Sequence, residues 1–301
     1  MSLRIGTRGS ALALAQAQTV AERVGGELVV IASEGDRLPG PLAELGGTGV
    51  FATALREALL AGEVDAVVHS YKDLPTAPYP GLAIAAVPTR ADARDALCSR
   101  GAVGVDALPD GARVGTGSPR RRAQLLARRP GLDVIDIRGN VDTRLGRLAP
   151  DAADPLDAVV LAAAGLGRLG RDDAVGELFG LDEWPTAPAQ GALAVETRVG
   201  EEARVAKLDH RPSHLTAAAE RGVLARLEAG CSAPIGAHAL TDGGLLFLSA
   251  TVYRPDGSES LTSSHALYLA DSPDPVDDVA ARVADELLEA GAGGLTDGIG
   301  G

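Results

Sequence analysis

From residue 3 to residue 170, short apolar runs alternate with helix-forming runs, and glycine, proline or aspartate separates them. This alternation restricts the chain to β/α units with largely parallel sheets. Leu3 to Thr7 reads as a strand, and Ser10 is placed to cap a helix from Ala11 to Val24. Strands follow at Glu27 to Ala32, Ala66 to Ser70 (AVVHS) and Leu82 to Val87, with a helix from Phe51 to Ala61. Between them, Ser33 to Gly49 holds five glycines and two prolines and reads as a mobile loop. A second set of units runs through strands at Asp95 to Ser99, Arg113 to Gly115, Leu132 to Ile137 and Asp157 to Gly165. Ser118 and Pro119 open one of its helices, and Asp142 to Leu148 is a shorter one.

The pattern changes after Gln190-Gly191. One more strand, Ala192 to Thr197, precedes a helix from Pro212 to Leu227 with Leu215, Ala219, Val223 and Leu227 on one face. Three alternating segments follow near 235–240, 245–253 and 260–268, with Pro255 to Gly257 as a turn, and then a helix from Val276 to Ala290. The fold class expected is therefore α/β. It comprises two doubly wound domains, 1–90 with 190–208 and 91–189, and a small α+β domain, 209–301, with a three-stranded antiparallel sheet.

Bulk properties narrow the function. No apolar run reaches the roughly 20 residues of a membrane span, and MSLRIGTRGS has no signal-peptide core. The expectation is a cytoplasmic protein without a membrane partner. Two cysteines in 301 residues make no disulfide framework. A net charge of −13 argues against a general nucleic-acid surface, and Arg120-Arg121-Arg122 lacks interleaved aromatics.

The arginines nevertheless collect at one end of their strands. Arg8 and Ser10 follow the first strand, and Ser70, Lys72 and Asp73 follow AVVHS. Thr116, Ser118, Arg120 and Arg121 stand where a strand turns into a helix. Arg138 and Arg144 follow LDVIDI, and Arg168 follows DAVVLAA. The carboxyl ends of strands open on the ligand crevice of α/β sheets, and helix N-termini there favour anions. Guanidinium adds two-point recognition of carboxylate or phosphate. The ligand expected is a multiply charged anion. Asp73 is the exception among these cations. It is either a carboxylate that stabilises developing positive charge or moves a proton, or a cap on the turn before Pro75. Cys231 is also unusual, because it lies in a loop of small residues, RLEAGCSAPIG, rather than in an apolar core. Cys98, in DALCSR, reads as part of a buried strand.

Eight segments in order, RIGTRGSALALAQA, GVFATALREALL, DAVVHSYKDLPT, VGTGSPRRRAQL, IRGNVDTRLGRL, LAAAGLGRLG, PAQGALAVETR and RLEAGCSAPIG, resemble the porphobilinogen deaminase (hydroxymethylbilane synthase) family. The resemblance is continuous from Arg4 to Gly236 and weaker beyond. It implies two domains like type II periplasmic binding proteins, and a dipyrromethane cofactor joined by a thioether to Cys231. It also implies stepwise condensation of four porphobilinogen molecules with loss of ammonia, through an electrophilic azafulvene, and hydrolytic release of hydroxymethylbilane. Asp73 matches the family's catalytic aspartate. Arg8, Arg120, Arg121, Arg138, Arg144 and Arg168 match arginines that bind the acetate and propionate groups. Ser10, Ser70, Lys72, Thr116, Ser118 and Gln190 match further polar contacts, and Phe51 matches an aromatic near the cofactor. The resemblance implies a monomer acting on a small molecule, with no metal. Glu34, Glu44 and Thr48 depart from the family's basic loop residues, although Asp36 remains; Tyr71, Gly117 and Pro119 also differ from its usual residues. Two other readings stay open on the residues alone. One is a solute-binding module, which needs neither Cys231 nor Asp73. The other is a thiol hydrolase pairing Cys231 with His214 or His238.

Overall fold

The computed structural model describes residues 2–32, 49–229 and 233–296. Of the loop read at Ser33 to Gly49, residues 33–48, with Glu34, Asp36, Glu44 and Thr48, lie outside the described residues, while Gly49 already belongs to a helix; Cys231 also lies outside them. The chain forms two compact units, Met1–Ala91 with Gly191–Ala217, and Asp92–Gln190 with Ala218–Gly301.

The first unit begins with β1 (Arg4–Thr7), α1 (Ala11–Val24), β2 (Glu27–Val30), α2 (Gly49–Leu60), β3 (Ala66–Ser70) and β4 (Leu82–Ala86). The chain then crosses into the second unit through β5 (Asp95–Ser99), β6 (Arg113–Gly115), α3 (Pro119–Arg128) and β7 (Asp133–Ile135). It continues with α4 (Val141–Gly146), β8 (Ala158–Ala162), α5 (Ala163–Arg168) and β9 (Glu177–Leu178). It returns as β10 (Leu193–Arg198) and α6 (Arg211–Arg226), then ends in β11 (Ile235–Asp242), β12 (Leu245–Tyr253), β13 (Ser260–Tyr268) and α7 (Pro275–Glu289).

The sheet orders are β2-β1-β3-β10-β4 and β7-β6-β8-β5-β9. In each, the fourth position belongs to the strand that follows a crossing between units, and that strand runs antiparallel to its neighbours. The sheets are therefore mixed rather than wholly parallel. A strand reached from the other unit is not tied to the right-handed βαβ crossover that keeps β1, β2 and β3 parallel. Helices cover both faces of the first sheet. Ile5, Val20 and Val68 pack on the α1 side, and Leu55, Leu59 and Val67 on the α2 side. This is the two-sided burial that makes AVVHS read as a continuous apolar run. The third sheet, β11-β12-β13, is antiparallel, and one face packs on Val223 and Leu227 of the α6 segment and on Val279, Val283 and Leu287 of α7. The run read as a strand to Gly165 stops at Ala162, and Ala163–Arg168 is helical. Alanine-rich apolar runs suit a buried strand and a short helix equally well.

At the opposite end of the first sheet from Ser70, Asp65 gathers cations. Arg4 donates its backbone N–H at 2.9 Å, Nε at 3.2 Å and Nη2 at 3.0 Å, and Arg204 Nη1 donates at 3.2 Å. The Arg4 hydrogen bonds hold the Asp65 carboxyl down at about 2, against the opposing pull of burial. A folded-state value below that of the unfolded chain stabilises the fold above the unfolded value. The contribution is lost as pH falls toward the folded one. Asp65→Asn is expected to lower unfolding free energy at pH 7 by about 1–2 kcal/mol, with the gap to the parent closing between about pH 4 and pH 2. Denaturant titrations at pH 7, 4 and 2.5 check this, and a gap constant across that range contradicts it.

Candidate active site

In the first unit, the end of β3 leads into a single 3-10 turn, Tyr71–Asp73. Tyr71 is buried and its N–H donates to the Ala192 carbonyl at 3.1 Å, which anchors the turn. The Leu74 N–H closes it onto the Tyr71 carbonyl at 3.3 Å. With Tyr71 and Leu74 turned inward, Lys72 is left half-buried and Asp73 exposed. Among the described residues no hydrogen bond engages the Asp73 carboxylate, so capping of the turn before Pro75 is not its task here. Ser70 is held from the other face, with Gln16 Nε2 donating to its hydroxyl at 2.8 Å. Arg8 is half-buried just beyond β1, and Ser10 accepts from the Ala13 N–H as the cap of α1. Phe51 lies in the first turn of α2, and its side chain is outside the described set.

In the second unit, β6 passes through Thr116-Gly117-Ser118 into α3. The Thr116 hydroxyl accepts from the Ser118 N–H at 3.2 Å, and the Ser118 hydroxyl accepts from the Arg121 N–H. A Cβ on Gly117 would lie 2.6 Å from the Ile137 carbonyl oxygen, so a side chain there would force the backbone to shift. Pro119 occupies the first helical turn, where its missing N–H costs nothing.

Arg120 and Arg121 turn inward, 2 % and 6 % exposed, onto Asp95, which is wholly buried at the start of β5. Arg120 Nη2 donates to Oδ2 at 2.9 Å and Arg121 Nη2 to Oδ1 at 2.6 Å. Trp184 Nε1 and Gln190 Nε2 add donors at 2.9 and 2.8 Å. Burial alone would raise the Asp95 pKa, but the two guanidinium charges and these hydrogen bonds override it and hold the carboxyl far below its usual range. Burial pushes Arg120 down, with Asp95 opposing and Arg121 adding to the shift. Two guanidiniums against one carboxylate leave a buried excess of positive charge beside the N-terminus of α3. Sequence reasoning included Arg120, Arg121 and Gln190 but missed Asp95 and Trp184. The available signal was an aspartate opening an otherwise apolar strand, DALCS.

The other arginines are more open. Arg138, 54 % exposed at its side chain, lies 3.3 Å from Asp136, and Arg144 Nε donates to the Gly139 carbonyl at 2.8 Å. Arg168 ends α5 half-buried, and that burial lowers its pKa; a bound anion would oppose the shift. Thr116 is buried. Cys98 lies inside β5, and burial pushes its thiol up to about 11. The donor set of the second unit thus fits a ligand rich in carboxylates: exposed or half-buried guanidiniums, a buried excess of positive charge and helix N-termini.

The family model for the dipyrromethane cofactor-binding domain of porphobilinogen deaminase matches residues 3–207, and that for the C-terminal domain of the same enzyme matches 214–289. A porphobilinogen deaminase of Leifsonia xyli is 58 % identical over 98 % of this chain and 94 % of its own length. Those of Thermobifida fusca and Mycobacterium bovis are 49 % and 48 % identical, over 96 % and 99 % of this chain and 94 % and 99 % of their own. Matched along almost its whole length, the chain belongs to the porphobilinogen deaminase family, enzymes of tetrapyrrole biosynthesis.

Proposed function

We propose that the protein is a transferase, a hydroxymethylbilane synthase of the cytoplasm, acting as a monomer. It joins four porphobilinogen molecules head to tail onto a resident dipyrromethane and releases hydroxymethylbilane by hydrolysis. The observation that carries the reading is Asp73, a carboxylate presented to solvent at the end of β3 with no hydrogen-bonding partner among the described residues. Helix-end geometry gives no reason for an ionisable group to be offered there. A reaction that builds positive charge on a pyrrole does.

Cys231 would hold the dipyrromethane through a thioether, and the group supplies the nucleophilic pyrrole α-carbon to which each unit is added. Asp73 accepts hydrogen bonds from pyrrole N–H groups and offsets the positive charge that develops as ammonia leaves porphobilinogen. In this reading it also takes the proton lost after carbon–carbon bond formation. Each porphobilinogen brings an acetate and a propionate, so every addition raises the anionic charge by two. Arg138, Arg144 and Arg168 hold these groups, with Arg8, Ser10, Ser70 and Lys72 serving the unit that carries Asp73. Phe51 lies near the cofactor. For Arg120 and Arg121, the buried partners support action chiefly through the positive field around Asp95, with Thr116, Ser118 and Gln190 holding that end of the site in shape. The chain is read as three domains, 1–90 with 190–208, 91–189 and 209–301.

Intact mass spectrometry of the purified protein is expected to give the chain plus one dipyrromethane, and the added mass should vanish in Cys231→Ser. A fully active protein of unmodified mass contradicts the primer reading. Asp73→Asn is expected to keep its melting temperature within about 2 °C, as for a surface change. Turnover of porphobilinogen should fall by at least about 10²-fold, and undiminished turnover removes Asp73 from its role. In Arg138→Leu and Arg144→Leu, mass spectra taken during turnover should show stalled cofactor assembly or accumulated partial adducts, whereas product release at the parent rate counts against the arginine assignment.

A further inference from the structure

Three charged or titratable side chains are buried together in the first unit, outside the anion set. Glu196 of β10 is 2 % exposed, Arg56 of α2 5 % and His69 of β3 8 %. Arg56 grips both carboxylate oxygens, with Nε at 3.1 and 3.0 Å and Nη2 at 2.9 Å. His69 Nε2 lies 3.2 Å from Oε2 of Glu196. The Tyr79 ring covers the Arg56 guanidinium at 4.7 Å. The pairing of β10 with β4 slips between Val195 and Glu196, the kind of irregularity that re-aims a side chain. Burial raises the Glu196 pKa, but its hydrogen bonds to His69 and Arg56 outweigh that and keep it low.

Removing such a pair from water costs several kcal/mol, and an apolar replacement often serves stability as well. Location supplies another reason for keeping it. His69 immediately precedes Ser70 and the Tyr71–Asp73 turn. Strand alternation points His69 to the face of Val67, against α2, and Ser70 to the opposite face, where Gln16 of α1 holds it. The end of β3 is thus clamped from both sides. One clamp is a neutral amide; the other is a charged cluster linking three elements.

We propose that Arg56, Glu196 and His69 form a positioning cluster that holds the end of β3, and with it the Asp73 carboxylate, in its working place. The proposal rests on the reading of Asp73 as the catalytic carboxylate. His69 and Arg56 act only through that residue. Misplacing a reacting group by about an ångström costs on the order of 10²-fold in rate, whereas groups that only bind substrate are left as they were.

The test uses holoenzyme, with cofactor loading checked by intact mass. His69→Leu should lower kcat for porphobilinogen by roughly 10- to 100-fold with KM within about 3-fold of the parent. His69→Gln, which still offers an N–H toward Glu196, should recover kcat to within about 3-fold of the parent. The decisive comparison is the double variant Asp73→Asn with His69→Leu, which should be no slower than Asp73→Asn alone, because the cluster works through a group already disabled. Additive losses, a raised KM with kcat unchanged, or equal kcat in His69→Leu and the parent overturn the proposal. Should His69→Leu fail to fold, Arg56→Lys carries the same comparisons, since lysine keeps the charge but loses the two-point grip. An Asp73→Asn protein with full activity would sink the assignment of Asp73 instead, and the two failures are told apart by that single variant.

Discussion

The second unit depends on one buried carboxylate. Asp95 opens β5, the strand that arrives from the first unit, and ties it to α3 through Arg120 and Arg121 and to the return segment through Trp184 and Gln190. Gln190 also donates to the Ala93 carbonyl at 2.9 Å, so the outgoing and returning stretches of this unit are fastened to each other. The arrangement is expensive in desolvation, and losing one member would strand charge in an apolar interior at a cost of about 3–5 kcal/mol. The orientation of α3, and hence the placement of Thr116 and Ser118, follows from this knot rather than from apolar packing alone.

The same knot separates two kinds of arginine that look alike in a sequence. Arg120 and Arg121 spend most of their donors inside the protein, on Asp95, Gln124 and the Pro185 and Val160 carbonyls. Arg138 lies exposed just after β7 beside Asp136, and Arg144, half-buried in α4, donates to the Gly139 carbonyl. An anion on this unit would therefore meet the exposed Arg138 outside and a fixed positive field from within.

Much of this was legible in the residues. Period and punctuation predicted the β/α units, the three-stranded sheet and most caps, because Ser10, Ser118 and the glycine turns act locally. The antiparallel fourth strands were not legible. Parallel and antiparallel buried strands carry the same apolar runs, and only the route of the chain between units sets their direction. The strand-end arginines stood out as a set. Which of them face inward was hidden, because Asp95 and Arg121 are 26 residues apart in sequence and meet only through the sheet. Glu196 and His69 were similarly concealed, since ALAVET and AVVHS read as strands whatever their polar members do.

The burial of Cys98 has a chemical side. Chemistry that passes through an electrophilic pyrrole puts every nearby nucleophile at risk of capture. With burial raising its thiol to about 11, Cys98 stays protonated at neutral pH, and the strand around it closes off approach. Burial in β5 therefore guards Cys98 against self-alkylation without any further device.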